Sequence, residues 1–186
     1  MKFAVLTAAL PLILISCSRP GSSLPVYLDV LEFHLIAQDG REFDSKVLQG
    51  KIWVADFIYT TCPGPCPRMT SQMKEVQNAI QKMPDVRLVS FTVDPERDTP
   101  PVLAEYAKLH RASAALWYFL TGPEATLQTL DRDVFKLGNL DKSLEHSTRF
   151  VLVDRRSRIR GYYETSEASS IPKLIDDIHE LARERS

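Results

Sequence analysis

The sequence predicts one α/β domain built on an open sheet with helices on both faces, and three observations lead there. Two nearly continuous apolar runs, Ile52–Tyr59 and Val86–Val93, have the composition of strands buried on both faces. Each is followed by a segment with helical spacing or helix-start residues, so strands and helices alternate as they do around a parallel sheet. The chain has 186 residues and is 44% hydrophobic, enough for a single unit with a substantial core.

Taken in order, Val30–Ile36 alternates, with Leu31, Phe33 and Leu35 on one side and Glu32 and His34 on the other. Asp39-Gly40 then turns the chain back toward Glu42 and Phe43, an N-terminal β-hairpin. After the strand 52–59 a helix is expected over 68–82, and after the strand 86–93 a second one opens with Pro100-Pro101, capped by Thr99, and runs to about His110. Trp117–Leu120 reads as a short strand closed by Gly122, and Glu124 to about Asp133 as a helix. Phe150–Val153 and Ile159–Tyr163 form a strand pair around the turn Arg155-Arg156-Ser157-Arg158, which lacks the glycine that usually helps so tight a turn. Ile171, Leu174, Ile175, Ile178 and Leu181 give the last segment a helical apolar stripe.

Residues 1–16 have the form of a signal peptide: Lys2, an apolar run from Phe3 to Ile15 broken by Pro11, then Ser16-Cys17. The run is too short for a spanning helix. A small residue before a cysteine that closes such a run resembles a bacterial lipobox, which makes Cys17 the lipidated first residue of the mature chain. Residues 17–26 are then the lipid-anchored tether, small, polar and proline-broken, and residues 27–186 the domain. The expected location is extracytoplasmic, on the periplasmic side, as a membrane-anchored lipoprotein. With 23 basic against 24 acidic residues and no basic block, nucleic acid is excluded as a partner.

Setting Cys17 aside leaves two cysteines, in Cys62-Pro63-Gly64-Pro65-Cys66-Pro67. Residues before proline are pushed out of helical space, so Cys62, Gly64 and Cys66 are expected to be extended, with Cys66 capping the helix that Pro67 opens. The helix dipole and Arg68 are expected to favour thiolate. A structural disulfide gains little from so short a loop. A redox pair usually has two intervening residues rather than the three found here. Two stiffly spaced sulfurs also suit a soft ion such as copper(I) or zinc. The pair alone leaves metal binding and redox chemistry open.

Of the four histidines, His34, His110 and His179 have ordinary surface or helix-end readings. His146 lies just before the strand 149–154 with no evident packing task, as a loop histidine or as a third ligand. Asp94, at the end of the strand 86–93, either starts a turn and pairs locally, or lies behind the site, orienting His146 or lining a surface for an electron partner. Strand carboxyl ends are where open α/β sheets place their chemistry, so these features are expected to converge.

Gly50–Val54 leading into Phe57–Pro67, then Phe91–Pro100, Trp117–Gly122 and His146-Ser147, stand in one order over about residues 27–182, and in these segments the chain resembles the Sco/SenC family of copper-binding, thioredoxin-fold proteins. The resemblance implies a thioredoxin-like fold with a central mixed sheet flanked by helices. It further implies that Cys62, Cys66 and His146 bind one copper ion, Cu(I) or Cu(II), that Cys62 and Cys66 can form a disulfide, and that the chain acts as a metallochaperone rather than an enzyme. Its partners would be the CuA-bearing subunit of cytochrome c oxidase or its assembly factors. The alternatives are an extracytoplasmic thiol-disulfide oxidoreductase using the redox-active pair Cys62 and Cys66, or a redox or copper sensor. A reductase of this fold has a cis-proline facing the thiols, a place held here by His146-Ser147-Thr148.

Overall fold

A computed structural model describes residues 22–137 and 147–184. Seven strands form one mixed sheet: β1 (His34–Ala37), β2 (Glu42–Asp44), β3 (Ile52–Ile58), β4 (Val86–Thr92), β5 (Trp117–Thr121), β6 (Arg149–Val153) and β7 (Ile159–Glu164), in the order β2-β1-β5-β4-β3-β6-β7. β3, β4 and β5 are parallel, β1 and β6 on either side of them run antiparallel, and the edge strands β2 and β7 are antiparallel to β1 and β6 in turn. The helices are α1 (Cys66–Ala79), α2 (Pro100–Leu109), α3 (Glu124–Thr129), extended by a π-helical turn over Leu130–Val134, and α4 (Ser170–Arg183).

The apolar runs lie where their composition requires. All seven residues of β3 are buried, and β3 and β4 are paired from Ile52↔Val86 to Ile58↔Thr92, so both strands end level. Alternate residues feed two cores. On one face Ile52, Val54, Ile58 and Leu88 pack with Met69, Met73 and Val76 of α1, Leu103 and Tyr106 of α2, and Leu174 and Ile178 of α4. On the other, Trp53, Phe57 and Phe91 pack with Phe33, Leu127, Leu130 and Phe135. Each fully buried Met or Leu side chain of α1 and α4 contributes about 1.5–3 kcal/mol of burial energy.

One local expectation is corrected, and the expected strand pair around a turn without glycine is found and explained. Leu31 does not point inward: it is 68% exposed, while Val30 is buried. The reason is a competing partner, because Tyr27 N donates to Ile159 O, Ile159 N to Leu28 O and Val30 N to Ser157 O, so this stretch lies against the start of β7 and β1 begins only at His34. The turn between β6 and β7 closes without glycine by using a carboxylate. Asp154 accepts from the backbone N–H of Arg156 at 2.9 Å and of Arg158 at 3.0 Å, and Ser157 takes the left-handed φ of 58°.

Candidate functional site

The site is built at the end of the sheet where β3 and β4 finish together. Beyond Ile58 the chain enters a turn in which Cys62 N donates to Tyr59 O at 3.3 Å, passes the exposed Pro63-Gly64, and starts α1 at Cys66. Cys66 is therefore the first residue of the helix rather than its cap, which is the helical Pro65, and it adopts this conformation despite the following proline. The energetic reason is packing. Cys66 has no exposed surface and joins the core with Ile58, Met69 and Phe150. Thr70 Oγ1 donates to Cys66 O at 2.9 Å and meets the Tyr106 hydroxyl at 2.7 Å, fixing the first turn.

Cys62 is 8% exposed, and the two sulfurs are not joined to each other in the structure. Burial pushes the Cys66 thiol well above its ordinary range, and its hydrogen bond with Cys62 and the charge of Asp56 push the same way, opposed by the Tyr59 backbone hydrogen bond. The expected thiolate at Cys66 is thus corrected: a buried sulfur loses more to desolvation than a helix N-terminus and the exposed Arg68 return. The Tyr59 phenol bonds to Cys62, which raises its pKa.

Three polar anchors position this loop, and none is evident from sequence. Asp98 is fully buried and accepts from Thr60 Oγ1 at 2.5 Å, Thr60 N at 3.1 Å and Thr92 Oγ1 at 2.6 Å, strapping the approach to Cys62 onto the end of β4. Asp56, buried within β3, accepts from Ser90 Oγ at 2.6 Å, and Trp117 Nε1 donates to the same Ser90 oxygen at 2.9 Å. On the far side of α1, Gln72 Nε2 donates to Thr165 O at 2.9 Å, and Thr165 N and Oγ1 donate to Thr148 O at 2.9 and 2.6 Å. This last set ties the helix that begins at Cys66 to the entrance of β6. The only sequence cue for Asp98 is a carboxylate six residues after a strand-end threonine, a pattern indistinguishable from an ordinary helix cap.

Asp94 lies at the same end of the sheet. Its carboxylate pairs with Arg97 Nη1 at 2.8 Å, and its charge reaches Tyr59. The local pairing expected of it is present. His146 and Cys17 lie outside the described residues, as does the signal segment 1–16. Among the described residues no cluster of three or more His, Cys, Asp or Glu side chains is arranged to hold a metal, and no helix is long and apolar enough to cross a membrane. The two cysteines are brought together with Asp94 nearby, and the strand that His146 precedes starts at their end of the sheet, since β6 runs antiparallel to β3.

A mixed sheet with helices on both faces and a Cys-x-x-x-Cys pair at the junction of β3 and α1 defines a thioredoxin-like protein with a sulfur site. Comparison narrows the class: the SCO1/SenC family model matches residues 28–183, and the chain belongs to that family. It is 33% identical over 182 residues to the SCO1 protein homolog of Bacillus subtilis strain 168, with 93% of each chain covered. A SCO1/SenC family lipoprotein from Bacillus anthracis superposes with a TM-score of 0.77 at 32% identity, covering 84% of this chain and 96% of that one. BsSco, described as a member of the Sco family of cytochrome c oxidase assembly proteins with a disulfide switch, superposes with a TM-score of 0.77 at 29% identity, covering 89% and 100%. The expected fold and family are borne out.

Proposed function

We propose that this protein is a copper chaperone that binds one Cu(I) or Cu(II) ion through Cys62, Cys66 and His146 and helps to assemble the CuA centre of cytochrome c oxidase. The observation that carries the reading is the placing of two hydrogen-bonded cysteine thiols at one sheet end, on a loop pinned by Asp98, in a chain of the SCO1/SenC family. Thiolate sulfur is the donor that soft Cu(I) prefers, and an imidazole keeps such a site competent for Cu(II). A relative from Stutzerimonas stutzeri, 30% identical over 150 residues, is named for copper binding. Support for His146 comes from β6: Thr148, two residues beyond it, is bonded to Thr165 and through it to α1.

Each residue then has a task. Cys66 is a buried thiol before the ion arrives, so loading releases a proton. Asp98 holds Thr60, and with it the approach to Cys62, in one conformation. Oxidation of the pair to a Cys62–Cys66 disulfide removes both sulfur donors, so the thiol state decides whether the site can be loaded. The chain is exported, acylated at Cys17 and held at the membrane that carries the oxidase, a reading supported by the Bacillus anthracis relative being a lipoprotein.

The hydrogen bond between the two cysteine thiols also favours a second reading, thiol-disulfide exchange with a partner. One experiment separates them: the copper-loaded chain is mixed with the metal-free, reduced soluble CuA domain. Appearance of the CuA absorption bands faster than with free copper supports delivery. Failure to transfer copper, together with copper-free reduction of an oxidised CuA domain, supports the exchange reading instead.

A further inference from the structure

Among the described residues eight large hydrophobic side chains are exposed, and four of them, Val26, Tyr27, Leu28 and Leu31, fall within six consecutive positions. Single exposed apolar residues are ordinary on a protein surface, but a group of them marks a contact. Val26 and Tyr27 are each 52% exposed, Leu28 39% and Leu31 68%. The half-buried Tyr162 of β7 joins them, its ring edge-on to that of Tyr27 at 5.3 Å.

The segment is fastened to the domain in a way that keeps these side chains outside. The buried Arg160 of β7 donates from Nε to Pro25 O and from Nη2 to Leu24 O, both at 2.9 Å. Its remaining N–H groups go to Asp154 and Glu184, which meets the demand of a buried guanidinium for partners at all five donors. Tyr27 N donates to Ile159 O at 2.9 Å, Ile159 N to Leu28 O at 2.7 Å and Val30 N to Ser157 O at 2.7 Å. Every one of these bonds uses main-chain atoms of the segment. The fastening therefore asks nothing of the side chains at 26, 28 and 31, and their apolar character serves something beyond the fold.

What that is follows from where the chain leads. The segment lies outermost beside β7, and among the described residues no strand pairs with its other side. Ser22, the first described residue, stands five positions after Cys17, so an acyl group on Cys17 joins the protein next to this strand. The charges nearby are balanced: Asp29 stands opposite Arg158, Glu32 pairs with Lys46 at 3.4 Å, and Arg156 is exposed. A second copy is a poorer occupant, because antiparallel pairing of two such strands about their middle would set the two Asp29 carboxylates side by side.

We infer that this edge strand is seated in the interfacial region of a lipid bilayer, with Val26, Tyr27, Leu28 and Leu31 as its apolar contacts and the Tyr27–Tyr162 pair at headgroup level, where tyrosine is favoured. The inference rests on acylation at Cys17 as proposed above. Interfacial segments bind in proportion to the apolar area they bury, so with balanced charges the seat forms on zwitterionic and anionic lipid alike.

The test uses the full acylated chain in nanodiscs whose lipids carry a quencher on the acyl chain just below the headgroup. A fluorescent amino acid replaces either Leu31 or Leu109, which is 74% exposed at the end of α2, the helix packed on β5 and four strands away from β7. The expected result is severalfold stronger quenching at position 31 than at 109, in both kinds of disc. Val26→Ser, Tyr27→Ser and Leu28→Ser together are expected to bring position 31 down to the level of 109 while the circular dichroism stays that of the parent, and Leu28→Ser alone to give part of that loss. Equal quenching in the parent, or a difference that survives the triple substitution, overturns the seat. Energy transfer between two labelled copies in one disc, lost in the triple variant, would assign the strand to a second copy and overturn it as well. Mass spectrometry of the same sample tells the failures apart: an unmodified Cys17 overturns the anchor and the seat together, whereas an acylated chain with equal quenching overturns the seat alone.

Discussion

Replacing Asp98 by alanine tests whether the carboxylate strap holds the cysteine loop. The structure gives it three short hydrogen bonds, from Thr60 Oγ1, Thr60 N and Thr92 Oγ1, and no exposed surface. Hydrogen bonds to a charged group contribute about 1.5–3 kcal/mol each, but the mutation also removes the desolvation cost of the carboxylate. Thr92 Oγ1 still accepts from Asp94 N at 2.9 Å, which limits the loss on that side. The net expectation is a destabilisation of about 2–4 kcal/mol, most of it from the Thr60 N–H and hydroxyl left without an acceptor. For a domain of this length that corresponds to a fall in Tm of roughly 5–15 °C. Calorimetry gives the stability, and hydrogen exchange at the Thr60 amide gives the local effect, expected to quicken more than that of β4 amides. A Tm within about 2 °C of the parent, with Thr60 exchange unchanged, would refute the strap.

The buried Asp154 predicts a pH dependence. Burial raises its pKa, but hydrogen bonds from Arg158, from Arg160 and from the turn backbone outweigh it, so the folded carboxyl titrates below its ordinary value. A depressed carboxyl contributes stability that is present above the unfolded pKa of about 4 and is lost as pH falls through the lower folded value. The gap in urea midpoint between the parent and Asp154→Asn is therefore expected to narrow below about pH 4, and a constant gap would count against the pairing. Gly161→Ala places a Cβ 2.5 Å from the Tyr163 hydroxyl, which is held at 2.7 Å from Asp177, so a loss of about 1–3 kcal/mol is expected by denaturant titration. Cys66→Ser is expected to abolish tight Cu(I) binding, and retention of parental affinity in a competition assay would remove Cys66 from the donor set.

Much of the fold is legible because β3 and β4 are almost wholly buried and so read as nearly continuous apolar runs. α4 is legible through its stripe of Ile171, Leu174, Ile178 and Leu181, which lies against the core as the spacing requires. The cysteine loop declares itself by chemistry. Leu31 misleads because alternation cannot reveal that residues 27–30 lie against β7 instead of extending β1. Cys66 misleads because the proline rule is local, whereas its helical conformation is secured by Ile58, Met69 and Phe150. Asp98, Asp154 and Arg160 form another group. Each looks like an ordinary surface charge in its own neighbourhood and becomes structural only through partners far along the chain or across a turn. Arg160 and Pro25 are the extreme case, separated by 135 positions and joined at 2.9 Å.

The account turns on one shared ion, and titrating the reduced chain with Cu(I) and Cu(II), beside His146→Ala, tests it most directly. The expected result is one copper per chain, with Cu(II) affinity falling sharply when the imidazole is removed and Cu(I) affinity falling less, because the two sulfurs remain. Affinity for both valences unchanged in His146→Ala, or a stoichiometry other than one, would contradict the donor set and with it the proposed delivery of copper.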